Sequence, residues 1–196
     1  MMRQWNRLWV IALLLILVSG CDRSPSLWSL HDISGLMPSL AFTLHDGSGQ
    51  TRHGEDYRGD IVLLYFGYTH CPDICPTTLA KLVSATHKPG VAAEQVRILF
   101  VSVDPARDTA DVLQRYGQAF GPRVTALSGT QAQLRALTKR YRVSYGYGKA
   151  DARGRYEVSH SSAVFIFDRD GAARLLATGT DSAEKISADL TRLAGG

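Results

Sequence analysis

The chain has 196 residues, 45% hydrophobic and 20% charged, enough for one globular domain with a full core and too few for two comfortable ones. Its formal charge of +4 falls to +2 once residues 1–20, which hold Arg3 and Arg7 and no acid, are set aside; that is too mild for a nucleic-acid partner. With three cysteines in all, the chain is not a disulfide-stapled scaffold.

Residues 1–20 read as a secretory signal peptide, because Arg3 and Arg7 precede the apolar run Leu8 to Val18 and small residues follow it. As a helix, that run of about eleven residues spans roughly 16 Å, about half a hydrocarbon core, so a transmembrane reading is the weaker one. Val18-Ser19-Gly20-Cys21 resembles a bacterial lipobox. The resemblance implies a lipid on Cys21, and Asp22 behind it is similar to the signal that retains lipoproteins at the inner membrane. The expected location is therefore the periplasmic face of a bacterial inner membrane. Residues 21–37, with Ser, Pro, Gly and Asp, are expected to form a membrane tether, and residues 38–196 the folded domain.

From residue 41, AFTLHDGSGQTR predicts a β-hairpin turning at Asp46-Gly47 and Ser48-Gly49, and IVLLYFGY at 61–68 predicts a buried strand. Pro76 suits an early helical turn. With Leu79, Leu82 and Val83 as an apolar stripe, a helix is expected to about His87, ended by Pro89-Gly90. VRILFVSVD predicts a second buried strand. Asp108 is placed to cap a helix carrying Val112, Leu113 and Tyr116, VTALS is a short strand, and Thr130 starts a helix with Leu134, Leu137 and Tyr141 on one face. A Gly- and Tyr-rich loop over 144–156 precedes a late hairpin, AVFIFD and RLLATG around Arg169-Asp170-Gly171, and a closing helix from about Asp181 to Leu193. The fold class is α/β, a central mixed sheet flanked by helices. This order resembles a thioredoxin fold with an added N-terminal β-hairpin.

Cys71 and Cys75 lie in THCPDICP, just beyond the first buried strand. At i and i+4 they share one face of a helical turn, with Cβ atoms about 5–6 Å apart. The spacing permits oxidation to a disulfide and also permits two sulfurs to hold one ion. The helix N-terminus is expected to lower the thiol pKa and make thiolates available near neutral pH. Two thiolates favour Cu(I), and an added imidazole accommodates Cu(II) or Zn(II). His160, in VSHSS before AVFIFD, is the candidate third ligand, because a thioredoxin-like fold brings that loop opposite the cysteine helix. His70 is a poor one because adjacent residues chelate a single ion only with strong distortion, and His31, His45, His53 and His87 read as surface residues. Asp73 reads as a helix N-terminal charge.

FGYTHCPDICP at 66–76, VSVDPARDT at 101–109 and VSHSSAVFIFDRDG at 158–171 resemble the Sco/SenC proteins over roughly residues 38–193. The resemblance implies a membrane-anchored, thioredoxin-like copper protein that helps assemble the binuclear copper site in subunit II of cytochrome c oxidase. It matches Cys71, Cys75 and His160 to the family's ligands for Cu(I) and Cu(II). Asp104 and Asp108 match family positions whose expected roles are strand termination and helix capping. Subunit II and the membrane, through its lipid anchor, are the expected partners, with another periplasmic copper or thiol-redox protein beside them. An alternative function is a thiol–disulfide reductase, in which Cys71 and Cys75 cycle to keep the oxidase cysteines reduced. A peroxidase with a low-pKa cysteine is a third.

Overall fold

The computed structural model describes residues 27–88 and 90–195. The signal peptide, Cys21 with its lipidation, Asp22 and Pro89 lie outside the described residues. Among those described, no helix is long and apolar enough to cross a membrane.

The main sheet is built from β1 (His31–Asp32), β2 (Thr43–Asp46), β3 (Thr51–His53), β4 (Ile61–Gly67), β5 (Val96–Ser102), β6 (Val124–Ser128), β9 (Val164–Phe167) and β10 (Ala173–Ala177). Its order is β1-β10-β9-β4-β5-β6-β2-β3. β4, β5 and β6 run parallel, and the remaining pairings are antiparallel, which makes the sheet mixed as expected. β4, with seven apolar or glycine residues in a row, is buried along its whole length at the centre, as an unbroken apolar run requires of a strand covered on both faces. β2 and β3 form the N-terminal hairpin.

Four helices, α1 (Ile74–Thr86), α2 (Ala110–Ala119), α3 (Gln131–Arg140) and α4 (Ala183–Ala194), flank the sheet. Side chains alternate across β4. The Tyr65 ring meets Phe100, which meets Tyr116 of α2, whereas Phe66 points the other way to Tyr141 behind α3. α4 packs against α1 on the Tyr65 side. α1 begins at Ile74, which puts Pro76 in its first turn, as expected. Thr130 caps α3 in a capping box with Gln133, as its sequence predicts.

Three expectations are corrected. The tether was expected to reach residue 37, yet residues 28–37 belong to the domain. His31 and Asp32 pair with Leu176 and Leu175, Leu30 and Ile33 are buried, and the fully buried Asp189 carboxylate accepts the Ser29 and Leu30 N–H groups at 3.0 and 2.8 Å. The Gly- and Tyr-rich loop contains β7 (Tyr145–Tyr147), which pairs with β8 (Val158–His160) in a separate two-stranded ribbon, so His160 ends a strand and is not in a loop. Asp108 does not cap α2; Thr109 occupies that position, without a side-chain cap.

Candidate metal centre

The site forms where β4 ends. Gly67 closes the strand, residues 68–73 turn, and α1 starts at Ile74, so Cys71 sits in the turn and Cys75 in the first helical turn. An α-helix leaves its first N–H groups without intrahelical partners. Here the Cys75 N–H donates to the Cys71 sulfur at 3.4 Å. The second sulfur is tucked under the strand: a Cβ on Gly67 would lie 2.8 Å from Cys75 Sγ and 2.7 Å from the Phe100 ring. Glycine at 67 is therefore what gives the Cys75 sulfur its seat.

His160 arrives from β8. Its Nδ1 faces the Ser161 carbonyl at 3.0 Å, an acceptor only, so Nδ1 carries the proton and Nε2 keeps its lone pair. Nε2 lies 3.1 Å from Cys75 Sγ, and the thiol donates to it. The Cys71, Cys75 and His160 ligand atoms all lie within 4.8 Å of one another, and both cysteines are free thiols. Two sulfurs and an imidazole on one ion need donor separations of roughly 3.5–4 Å, which follows from bonds of about 2.0–2.3 Å. The group fits a soft or borderline metal ion after small adjustments in which the 3.1 Å Cys75–His160 pair opens slightly and the wider separations, up to 4.8 Å, close.

Burial sets the protonation. Cys75 is wholly inaccessible and Cys71 is 8% exposed. Desolvation pushes the Cys75 thiol up to about 12, outweighing a backbone hydrogen bond from Tyr68 and the nearby Tyr65 hydroxyl, which both work to lower it. The expectation of a thiolate near neutral pH is thus corrected for Cys75. In the metal-free reduced protein this sulfur holds its proton, because removal from water outweighs the helix N-terminus.

Aromatic rings enclose the imidazole: Tyr68 and Tyr65 meet it edge-on at centroid distances of 5.8 and 6.1 Å. The Tyr65 and Tyr116 hydroxyls are buried and lack a partner of ordinary hydrogen-bond geometry among the described residues, and burial raises both phenols above their usual range. Sequence reading passed over Tyr65, Gly67 and Tyr68, although the period of two along YFG already puts 65 and 67 on the same face.

The other candidates fall elsewhere. His70 is half exposed and turns to the Asp108 carboxylate at 3.4 Å and to the Thr69 hydroxyl at 3.2 Å. Asp73 is exposed and accepts from the Thr77 hydroxyl. His31, His45, His53 and His87 are exposed, as expected. Asp108, by contrast, is buried and binds the site's own loop. Its carboxylate accepts the Thr69 N–H at 2.9 Å, the Thr69 hydroxyl at 2.6 Å and the Ser102 hydroxyl at 2.5 Å. Asp104, also buried, accepts from Arg107 and from the Tyr156 hydroxyl.

A family model described as SCO1/SenC matches residues 37–195. The mitochondrial SCO2 homologue of Bos taurus is 41% identical over 155 residues, covering 77% of this chain and 58% of that protein. The chain thus spans little more than half the length of this curated relative. Among solved structures, Bradyrhizobium japonicum ScoI with copper bound superposes with a TM-score of 0.69 at 32% identity, covering 79% of this chain and 98% of the other. Arabidopsis thaliana ScoI with copper bound gives a TM-score of 0.73 at 27% identity, covering 80% and 98%. These likenesses agree with the thioredoxin-like architecture expected from the order of elements.

Proposed function

The chain belongs to the SCO1/SenC family, and from that premise we propose that it carries copper as cargo, held by Cys71, Cys75 and His160, and supports assembly of the binuclear copper site in cytochrome c oxidase subunit II. The observation that carries the reading is the meeting of two sulfurs and an imidazole within 4.8 Å, across 85 positions of sequence. The donor set is soft enough for Cu(I) and, through the imidazole, also suits Cu(II). Copper-bound relatives with this fold support the choice of metal.

Each residue has its own task. Cys71 and Cys75 supply sulfur from one turn, and Cys75 gives up its proton when it becomes a ligand, so loading is coupled to proton release. His160, its tautomer set by Ser161, presents Nε2 without needing to lose a proton. An ion so held is passed on by exchanging one ligand at a time. His160 is the natural first to leave, since it is the most accessible of the three and lies on a strand outside the main sheet.

A lipid on Cys21, anchoring the domain to the periplasmic face of a bacterial inner membrane, completes the reading and rests on the lipobox-like VSGC. The test is anaerobic titration of the reduced protein with Cu(I) and with Cu(II). One ion per chain, with a thiolate-to-copper charge-transfer band for Cu(II), is the expected result. Undiminished stoichiometric, high-affinity binding in His160→Ala would overturn the three-ligand assignment.

The second reading, a thiol–disulfide reductase acting on the oxidase cysteines, is favoured by one observation: both thiols are free, with their sulfurs within reach of each other. It needs the two cysteines and little from His160, so oxidase assembly in the histidine variant separates the two.

A further inference from the structure

The β7–β8 ribbon carries His160 but stands outside the main sheet, so side chains do much of the work of holding it to the domain. On the β7 side, Tyr147 donates to the Val103 carbonyl and accepts from Gln131; on the β8 side the hold converges on Arg107. Its Nε donates to Asp104, whose carboxylate is fully buried and also accepts the Tyr156 hydroxyl at 2.8 Å. Its Nη1 donates to the Tyr156 carbonyl at 2.9 Å, and the guanidinium lies 3.7 Å above the Tyr156 ring. The same cation is 5.6 Å from the Tyr68 ring, whose edge-on neighbour is His160.

A buried ion pair is weak evidence of stability, because desolvation offsets most of its attraction. Its worth here is geometric. A planar guanidinium that grips a carboxylate, a carbonyl and an aromatic face at once defines where Tyr156 sits, which a lysine at 107 would not do. Tyr156 lies two residues before β8, so the strand is fixed at one end by this grip and delivers His160 at the other.

We infer that Arg107, locked by Asp104, is the positioning residue for His160: by clamping Tyr156 it holds the ribbon so that the imidazole stands over the cysteine pair. This rests on the reading of the three residues as the working site, but its test needs no copper. Losing the clamp leaves both sulfurs in place and takes the imidazole away.

The experiment compares the full-length reduced, metal-free protein with Arg107→Ala and Tyr156→Ala. The first readout is nitrogen NMR of the His160 ring. The parent is expected to show one tautomer, protonated at Nδ1, and both variants the averaged shifts of a free imidazole. The second is the dithiol–disulfide equilibrium of Cys71 and Cys75 against dithiothreitol. Without the Cys75–His160 hydrogen bond the dithiol is disfavoured by about fivefold, which is about 20 mV toward more negative potential. Cu(I) affinity should fall about tenfold or more, in the range seen when groups supporting a ligand are removed. A single Nδ1-protonated tautomer and an unmoved potential in both variants would overturn the inference. If Arg107→Ala does not fold, Tyr156→Ala decides, because its ring is only partly buried at the margin of the core. Failure of the parent itself to bind copper would count against the proposed function instead.

Discussion

His160 Nε2 stands 3.1 Å from Cys75 Sγ, although the two residues are 85 positions apart. A buried thiol facing an imidazole nitrogen holds its proton until something replaces it, and the replacement has measurable consequences.

Loading the reduced protein with Cu(I) at pH 7 should release protons, at least one of them from Cys75, whose thiol is pushed up to about 12. A weakly buffered, anaerobic titration followed by a pH indicator measures this. Cys75→Ala should release fewer protons per ion and bind far more weakly.

The same shift sets a pH window for folding. The ordinary thiol value is 9.0, so between about pH 9 and pH 12 the folded, metal-free state retains a proton that the unfolded chain has lost. Stability from this group is fully present below pH 9 and falls as pH rises to 12. Thermal unfolding of the reduced protein should therefore show a steeper alkaline loss than that of Cys75→Ala.

Gly67→Ala should displace Cys75, since the added Cβ would lie 2.8 Å from its sulfur and 2.7 Å from the buried Phe100 ring. Overpacking of this kind costs about 1–3 kcal/mol. Denaturant unfolding measures the loss, and copper binding should weaken although all three ligands remain.

Asp108→Ala removes the acceptor shared by Thr69 and Ser102 beneath the turn that carries Cys71. A loss of about 2–3 kcal/mol is expected, because buried donors are left without a partner. Faster alkylation of Cys71, followed by mass spectrometry, should accompany it. An unchanged alkylation rate would show that these bonds do not hold the Cys71 turn.

Much of this was legible beforehand because it is local. The apolar run of β4, the Asp46–Gly49 turn and the 71/75 spacing each follow from a period or a turn residue within a few positions. His160 was legible through the family resemblance. What escaped depends on distant partners. β1 is two exposed residues with no pattern of their own; it pairs with β10, and Asp189, some 160 positions away, holds the Ser29 and Leu30 N–H groups just before it. The β7–β8 ribbon hides in a Gly- and Tyr-rich stretch, and the tyrosines that read as loop residues are its attachments to Val103 and Asp104. The Cys75 thiol was misjudged for the same reason, since a helix N-terminus is visible in sequence and the lid formed by Gly67 and Phe100 is not.

The docking of Ser29 and Leu30 onto Asp189 also shortens the leash. With an anchor on Cys21, a free run to residue 37 would let the domain roam about 55 Å from the bilayer, at roughly 3.4 Å per extended residue. Ser29, held by Asp189, stands eight positions after Cys21, against sixteen for residue 37. If the domain is anchored as proposed, cutting the Asp189 contacts should lengthen its reach without touching the cysteine–histidine site.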